Sequence, residues 1–296
     1  MQTIAVLGTF ETSAENSEVV ARHIEAAGAR AIRIHRDEPW ASKVRKMLPA
    51  QVVYGAGFGF AAKMWAVARL LGKRTINHWV GTDVLLALED ARMRSMARGA
   101  ERWIGRHLTV APWLAAELAA VGIHAAVAPF VTPVRYELRA RPAPPAVLTY
   151  LPDERAGFYG APVVYALARR FPDVPFAVVA GTQEKQPAIP NVTYLGWVSD
   201  MVPLYEQYPI LLRVARHDGL PKMVLEALAC GNQVIFEYPF ASCWHAKTEE
   251  EASAALGQII AAGCPINHQG HEFVAREYGN EQLVAALLRE IGVVKA

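Results

Sequence analysis

The sequence predicts an α/β protein of two halves, each a parallel sheet flanked by helices. Three observations carry this expectation. Short apolar runs of strand length alternate with helical segments, the rhythm of βαβ units. The chain of 296 residues, 53% hydrophobic and 20% charged, is long enough for two domains with ordinary cores. Between the two series lies TPVRYELRARPAPP, residues 132–145, in which four of fourteen residues are proline. Proline favours extended backbone and opposes regular elements, so this is the expected linker. The expected domains are 1–131 and 146–296.

In the first half, Thr3–Leu7 reads as a buried strand that Gly8 ends. Residues 9–17 form a polar loop containing Thr9, Glu11 and Ser13, and a helix runs to about Ala27. A strand near Ala31–Ile34 follows the Gly28 stop. The first loop lacks G-x-G-x-x-G, so a nicotinamide-type site has no support there. Val52–Tyr54 is the next strand, and Gly55, Gly57 and Gly59 suit either close approach of a ligand or a tight turn into the helix ending at Leu71. Thr75–His78 is a strand whose carboxyl end carries His78, where open α/β sheets place ligands. A core histidine bonded to backbone is the alternative. Asp83 suits a helix cap, with Gly81 and Thr82 beside it. A basic helix is expected over 85–105, with Arg94, Arg98 and Arg102 on one stripe and Arg106 next in step. The stripe fits a solvated face or an anionic membrane surface. A strand at 108–110, a helix from Pro112 to Val121 and a strand near 125–130 complete this half.

The second half starts with a strand at 146–150, the loop LPDERAGFYG and a helix over 161–170. Strands follow at 176–180, ending in Gly181-Thr182, and at 192–197, ending in Gly196-Trp197. A helix over 198–205 leads to a strand at 210–212. Next comes RVARHDGLPKMVLEALACGNQVIFE, residues 213–237, which reads as loop, helix, turn and strand. Asp218-Gly219-Leu220 is turn chemistry, Pro221 suits a first helical position and Gly231 a C-terminal stop. The helix is nearly all apolar, yet Glu226 lies within it, eight residues after Asp218. A carboxylate on such a helix is costly to bury without partners. The unbonded amides of the first turn form an anion site with the helix dipole. The stretch therefore offers a phosphate cradle between two acceptors suited to sugar hydroxyls. The tail holds helices near 249–262 and 281–291.

On Asp218, Gly219, Pro221, Glu226, Ala227, Ala229 and Gly231, the chain resembles retaining glycosyltransferases of the family 4 type, which have the GT-B fold: two Rossmann-like domains with parallel sheets facing across a cleft. Asp218 stands where most of that family has Glu. The resemblance implies that Asp218 binds the donor sugar and Glu226 the nucleotide ribose. It implies diphosphate contacts from the amides of Gly219, Leu220, Lys222 and Met223. The run H-W-V-G-T-D resembles a family segment whose histidine faces the donor sugar, which implies catalytic roles for His78 and Asp218 and acceptor-side placement of Thr82 and Asp83. The loop with Arg155 matches a phosphate-binding loop from which a family lysine is missing; no lysine occurs between Lys73 and Lys185. Arg155 is the one cation of that pair still present, and it ranks with Arg213 as the leading phosphate ligand, because a guanidinium can bind phosphate with two parallel bonds. V-T-Y-L-G-W-V resembles the segment beside the nucleotide base, which places Gly181, Gly196 and Trp197 near the donor. In this fold the last helix usually crosses back to the first domain.

The implied activity is retaining, metal-independent transfer of a sugar from a nucleotide diphosphate donor to a glycan, lipid-linked or small-molecule acceptor. A sugar-nucleotide epimerase and a non-catalytic sugar-nucleotide-binding subunit are the rival readings. No cofactor or metal is expected: D-x-D is absent, and Cys264, His268 and His271 lack a fourth ligand. No P-loop, G-x-S-x-G or basic–aromatic repeat occurs, so nucleic acid is not an expected partner. Three cysteines and no basic leader fit a cytoplasmic protein. Residues 1–131 hold 16 Lys/Arg against 11 Asp/Glu, which favours this half for peripheral contact with an inner membrane face.

Overall fold

The computed structural model describes residues 1–8, 16–58, 62–130, 137–138 and 143–293. Thr9, Glu11, Ser13, Gly59 and most of the proline-rich segment lie outside the described residues. The rest divides into two compact units, residues 1–132 with 280–296, and residues 133–279.

The first unit contains strands β1 (Thr3–Gly8), β2 (Arg30–His35), β3 (Val52–Ala56), β4 (Arg74–Trp79), β5 (Arg106–Thr109) and β6 (Ala126–Val127). Its helices are α1 (Asn16–Ala26), α2 (Trp40–Met47), α3 (Ala62–Leu70), α4 (Thr82–Glu89), α5 (Ala91–Glu101), α6 (Pro112–Ala120) and the last of the chain, α12 (Asn280–Ile291). The strands pair in parallel in the order β2-β1-β3-β4-β5-β6. All six residues of β1 are buried, as expected of a central parallel strand.

The second unit contains β7 (Val147–Tyr150), β8 (Phe176–Val179), β9 (Val192–Gly196), β10 (Ile210–Arg213), β11 (Gln233–Phe236) and β12 (Trp244–His245). Its helices are α7 (Ala161–Arg170), α8 (Val202–Gln207), α9 (Lys222–Cys230), α10 (Glu249–Ala261) and α11 (His268–Glu277). The sheet is again parallel, in the order β12-β11-β10-β7-β8-β9. Counted from β7, this is the order 3-2-1-4-5-6 of a dinucleotide-type α/β sheet read from its other edge. Its core is built by β7, β8, β10 and β11 with α7 and α10. Thr248 and Glu251 start α10 with a reciprocal capping box.

Several segments differ from the sequence reading, among them helix α11, which was not foreseen. The single helix expected over 85–105 is two, because Asp90 leaves the helix and its carboxylate takes the amides of Arg92 and Met93 as the N-cap of α5. Helix α2 was not foreseen. Its sequence WASKVRKM buries just Lys43 and Met47, with the Lys43 ammonium bonded to the carbonyl of Arg36. Helix α8 starts at Val202 rather than Val198.

The arginine stripe is largely consumed within the unit. Arg94 donates to the carbonyls of Ala87 and Leu88 at the end of α4, and Arg98 to Val121 after α6 (2.8 Å). Cations at helix carboxyl ends satisfy carbonyls that lack intrahelical partners. Arg106 pairs with Glu290 of α12 at 3.0 Å, and Arg74 donates to the Glu290 carbonyl. These contacts fix the final helix to the first sheet. No helix among the described residues is long and apolar enough to cross a membrane.

Candidate active site

In an open parallel sheet, neighbouring strands whose connections leave in opposite directions open a crevice at their carboxyl ends. In the second unit that switch point lies between β7 and β10. The register pairs Leu212 with Thr149, so Arg213 and Tyr150 end the two strands side by side. The sheet order thus selects, independently of any motif, the edge that carries Arg213 and the Asp218 loop.

Arg213 is buried, with 7% of its surface exposed. Its guanidinium lies between the rings of Tyr150 and Tyr159, at 5.2 and 4.7 Å from their centroids. Both its Nε and an Nη nitrogen donate to Asp218 Oδ2, at 2.9 and 2.5 Å. Burial opposes the charge of Arg213, but Asp218 outweighs it and raises the guanidinium pKa. The other Asp218 oxygen takes the Gly219 amide at 2.9 Å. Arg213 therefore holds the acid expected to bind the sugar.

Arg155 is exposed, and its guanidinium stacks on Phe158 (4.4 Å) and Tyr159 (5.5 Å) without a hydrogen bond or ion pair among the described residues. Tyr159 thus touches both arginines. Asp153 anchors the loop, accepting from the Thr182 amide and hydroxyl and from Gln186 at 2.8–3.0 Å; the Thr182 amide leads in lowering its pKa. The loop closes on Gly160, whose φ of +85° excludes most side chains and whose missing Cβ would lie 2.3 Å from the carbonyl oxygen of Val214.

Gly181 and Gly196 also act through backbone. A Cβ on Gly181 would lie 2.7 Å from the Leu151 carbonyl, and the Gly196 amide donates to Gly181 at 3.1 Å. They set the carboxyl ends of β8 and β9. Beyond them Trp197 is 79% exposed, a large apolar ring presented to solvent.

Helix α9 starts after Pro221, and no side chain caps it. Its first turn begins four residues after Asp218, and the Val224 amide donates to the Pro221 carbonyl at 3.1 Å. Lys222, one turn before Glu226, pairs with it at 2.9 Å, and the Tyr205 hydroxyl donates to the other Glu226 oxygen at 3.0 Å. Glu226 is therefore the partnered acid the apolar helix requires. Gly219 is buried, Leu220 and Met223 are half-buried, and Lys222 is exposed.

Sequence reasoning overlooked Glu237, which directly follows β11. It is 3% exposed, and neither carboxylate oxygen has a hydrogen-bond partner among the described residues. Burial, then the charge of Asp218, pushes its carboxyl up to about 8, against Arg213 and nearby backbone amides. A charged residue closing an apolar strand was the available signal.

The predicted residues of the first unit are more enclosed. His78 is fully buried; its Nδ1 lies 2.7 Å from the Tyr54 hydroxyl and its ring 4.2 Å from that of Phe130. Burial pushes its pKa down to about 3, so the ring is neutral. Asp83 is also buried, and accepts from the amides of Val80, Gly81, Val84 and Phe58 at 2.9–3.0 Å. It joins the loops after β3 and β4, while Thr82 beside it is exposed. Among the described residues no three His, Cys, Asp or Glu side chains are grouped to hold a metal ion. Cys264 is buried and His271 is bonded to the Ala229 carbonyl.

No protein-family model matches the chain, and no curated protein does. Solved structures do. HepE of Anabaena in complex with UDP-glucose is 11% identical over 99% of this chain and 100% of its own, with a TM-score of 0.75. The outer-core galactosyltransferase WaaB is 11% identical over 98% and 99%, with a TM-score of 0.66. Sucrose-phosphate synthase of Thermosynechococcus elongatus is 13% identical over 98% and 96%, with a TM-score of 0.65. With its two parallel six-stranded α/β units, this chain has the GT-B fold.

Proposed function

We propose that this chain is a retaining, metal-independent glycosyltransferase that uses a nucleotide diphosphate sugar as donor. One observation carries the reading: at the switch point of the second sheet, a helix start with no side-chain cap and a stacked Arg155, unpaired among the described residues, lie beside two held acids, Asp218 and Glu226. Transfer passes through an oxocarbenium-like state while negative charge builds on the leaving diphosphate. The α9 amides, Arg155 and Lys222 would stabilise that charge. Asp218, fixed by Arg213, would accept from a sugar hydroxyl, and Glu226 from the ribose. The departing phosphate would take the acceptor proton. The UDP-glucose complex of HepE supports a nucleotide sugar as the ligand of this fold's site.

A thermal-shift panel of UDP-, GDP-, ADP- and dTDP-sugars tests the reading. One nucleotide class should raise Tm by a few degrees, since a ligand at 100 times its Kd adds about 2.7 kcal/mol. Glu226→Ala should lose the shift. Arg155→Ala should keep the unliganded Tm and weaken binding at least tenfold, because hydrogen bonds to charged groups contribute about 1.5–3 kcal/mol. If no class shifts the wild type, the donor reading fails. If a donor binds but no sugar moves to any acceptor or water, the chain is a binding subunit.

A further inference from the structure

We propose that Glu237 is a positioning residue of this site that carries a proton at neutral pH, leaving Arg213 entirely to Asp218. Arg213 and Glu237 are buried at the adjoining ends of β10 and β11, and Asp218 keeps only 19% of its side chain exposed. Both acids ionised would bury a net negative charge, so one must stay neutral. The geometry says which. Asp218 takes two bonds from Arg213 and one from the Gly219 amide, the surroundings of a carboxylate. Glu237 follows Phe236, the register partner of Arg213, and is 3% exposed; its own amide and that of Ala215 lie near, but no well-formed hydrogen bond reaches either oxygen among the described residues, and so enclosed a carboxyl favours its neutral form. The rise of its pKa to about 8, caused first by burial and then by Asp218, agrees.

The charged groups acting on Glu237 are Asp218 and Arg213. Tyr150 and Tyr159 stack on Arg213, and Tyr238, next to Glu237 in sequence, meets the His217 ring at 6.3 Å and Lys247 at 5.8 Å. When Glu237 ionises, it competes with Asp218 for Arg213 and frees the acid that would hold the sugar. The effect on donor binding rests on the reading above; the stored proton does not.

The two parts are tested separately. Unfolding of the ligand-free wild type and Glu237→Gln is followed by denaturant from pH 4 to 9.5. The folded wild type keeps a proton that the unfolded chain releases above about 4.5, so its folding constant drops as pH rises from there to about 8 and then levels off. Relative to wild type, the Gln variant should gain up to about tenfold per pH unit across that window. A ratio independent of pH overturns the stored proton. Carboxyl-labelled glutamate NMR of the wild type should place one midpoint near 8, without relying on the variant's folding; every midpoint in the ordinary carboxylate range overturns it equally.

Next, the Kd of the nucleotide sugar found by thermal shift is measured against pH. The wild type should weaken by about tenfold per unit above pH 8 and Glu237→Gln should lack that limb. The same limb in both proteins overturns the positioning role. If neither protein binds any nucleotide sugar, the positioning role falls with the donor reading, while the stability ratio still answers for the proton.

Discussion

Gly160→Ala is expected to destabilise the second unit by about 2–5 kcal/mol. A left-handed φ costs an ordinary L-residue roughly 1–2 kcal/mol, and forcing an atom into a filled space about 1–3 kcal/mol more. The added Cβ would meet the Val214 carbonyl oxygen at 2.3 Å and a Val214 methyl at 3.0 Å. Backbone cannot swing aside as a flexible side chain can, so the Arg155 loop or the end of β10 must move. For a unit of this size the fall in Tm is roughly 10 °C. Gly157→Ala is the control: its Cβ has nothing within 4 Å, and the change should stay within about 0.5 kcal/mol. Equal melting points for the two variants would sink the argument. Gly160→Ala should also weaken anion binding, since Gly160 closes the loop that carries Arg155.

Asp218→Ala is expected to abolish sugar transfer, with a drop in turnover of at least about a thousandfold if Asp218 orients the donor. Its stability effect is less obvious. Removing one member of a buried ion pair typically costs about 3–5 kcal/mol, because the other charge is left without a partner. Here Glu237 stands by. Burial still raises the Glu237 pKa without Asp218, but the second cause is gone and Arg213 is left to draw the proton off. The single variant should therefore lose less than the usual amount at pH 7, and Asp218→Ala with Glu237→Gln should lose more than the two single effects summed. Denaturant unfolding of the four proteins gives this coupling directly. Additive effects would mean that Glu237 does not replace Asp218 as the partner of Arg213. Both Asp218 variants should be inactive whatever their stability.

What the sequence made legible follows from the range of each signal. The two-unit α/β architecture was readable because buried parallel strands are short apolar runs, such as Thr3–Leu7 and Val234–Phe236, with local turn chemistry between them. The spacing of Asp218 and Glu226 around Pro221 was readable because a helix start is a local event. Which charge neutralises which was not. Arg213 and Arg155 look alike as cations, and the register of β7 and β10 decides that one is buried on Asp218 while the other stays exposed. His78 shows the same limit: its place at a strand end was visible, but its face is set by alignment with Tyr54 on a neighbouring strand. Asp90 was read as helix interior because an N-cap between two helices with no intervening loop leaves no break in the pattern. Glu237 was hidden because a strand-terminal acid is ordinarily solvated, and only the fold buries this one.

Helix α12 has a consequence for how the polypeptide can be divided. It is bound to the first unit through Arg74 and Arg106, although it follows the whole second unit in sequence. The chain therefore passes between the units twice, near residues 132 and 280. A break at one crossing leaves the pieces joined by the other, so a protein nicked between residues 133 and 145 would migrate as one species until denatured. For the same reason the first 132 residues expressed alone would lack a piece of their own surface cover, and the natural seam for dissecting this molecule is two cuts.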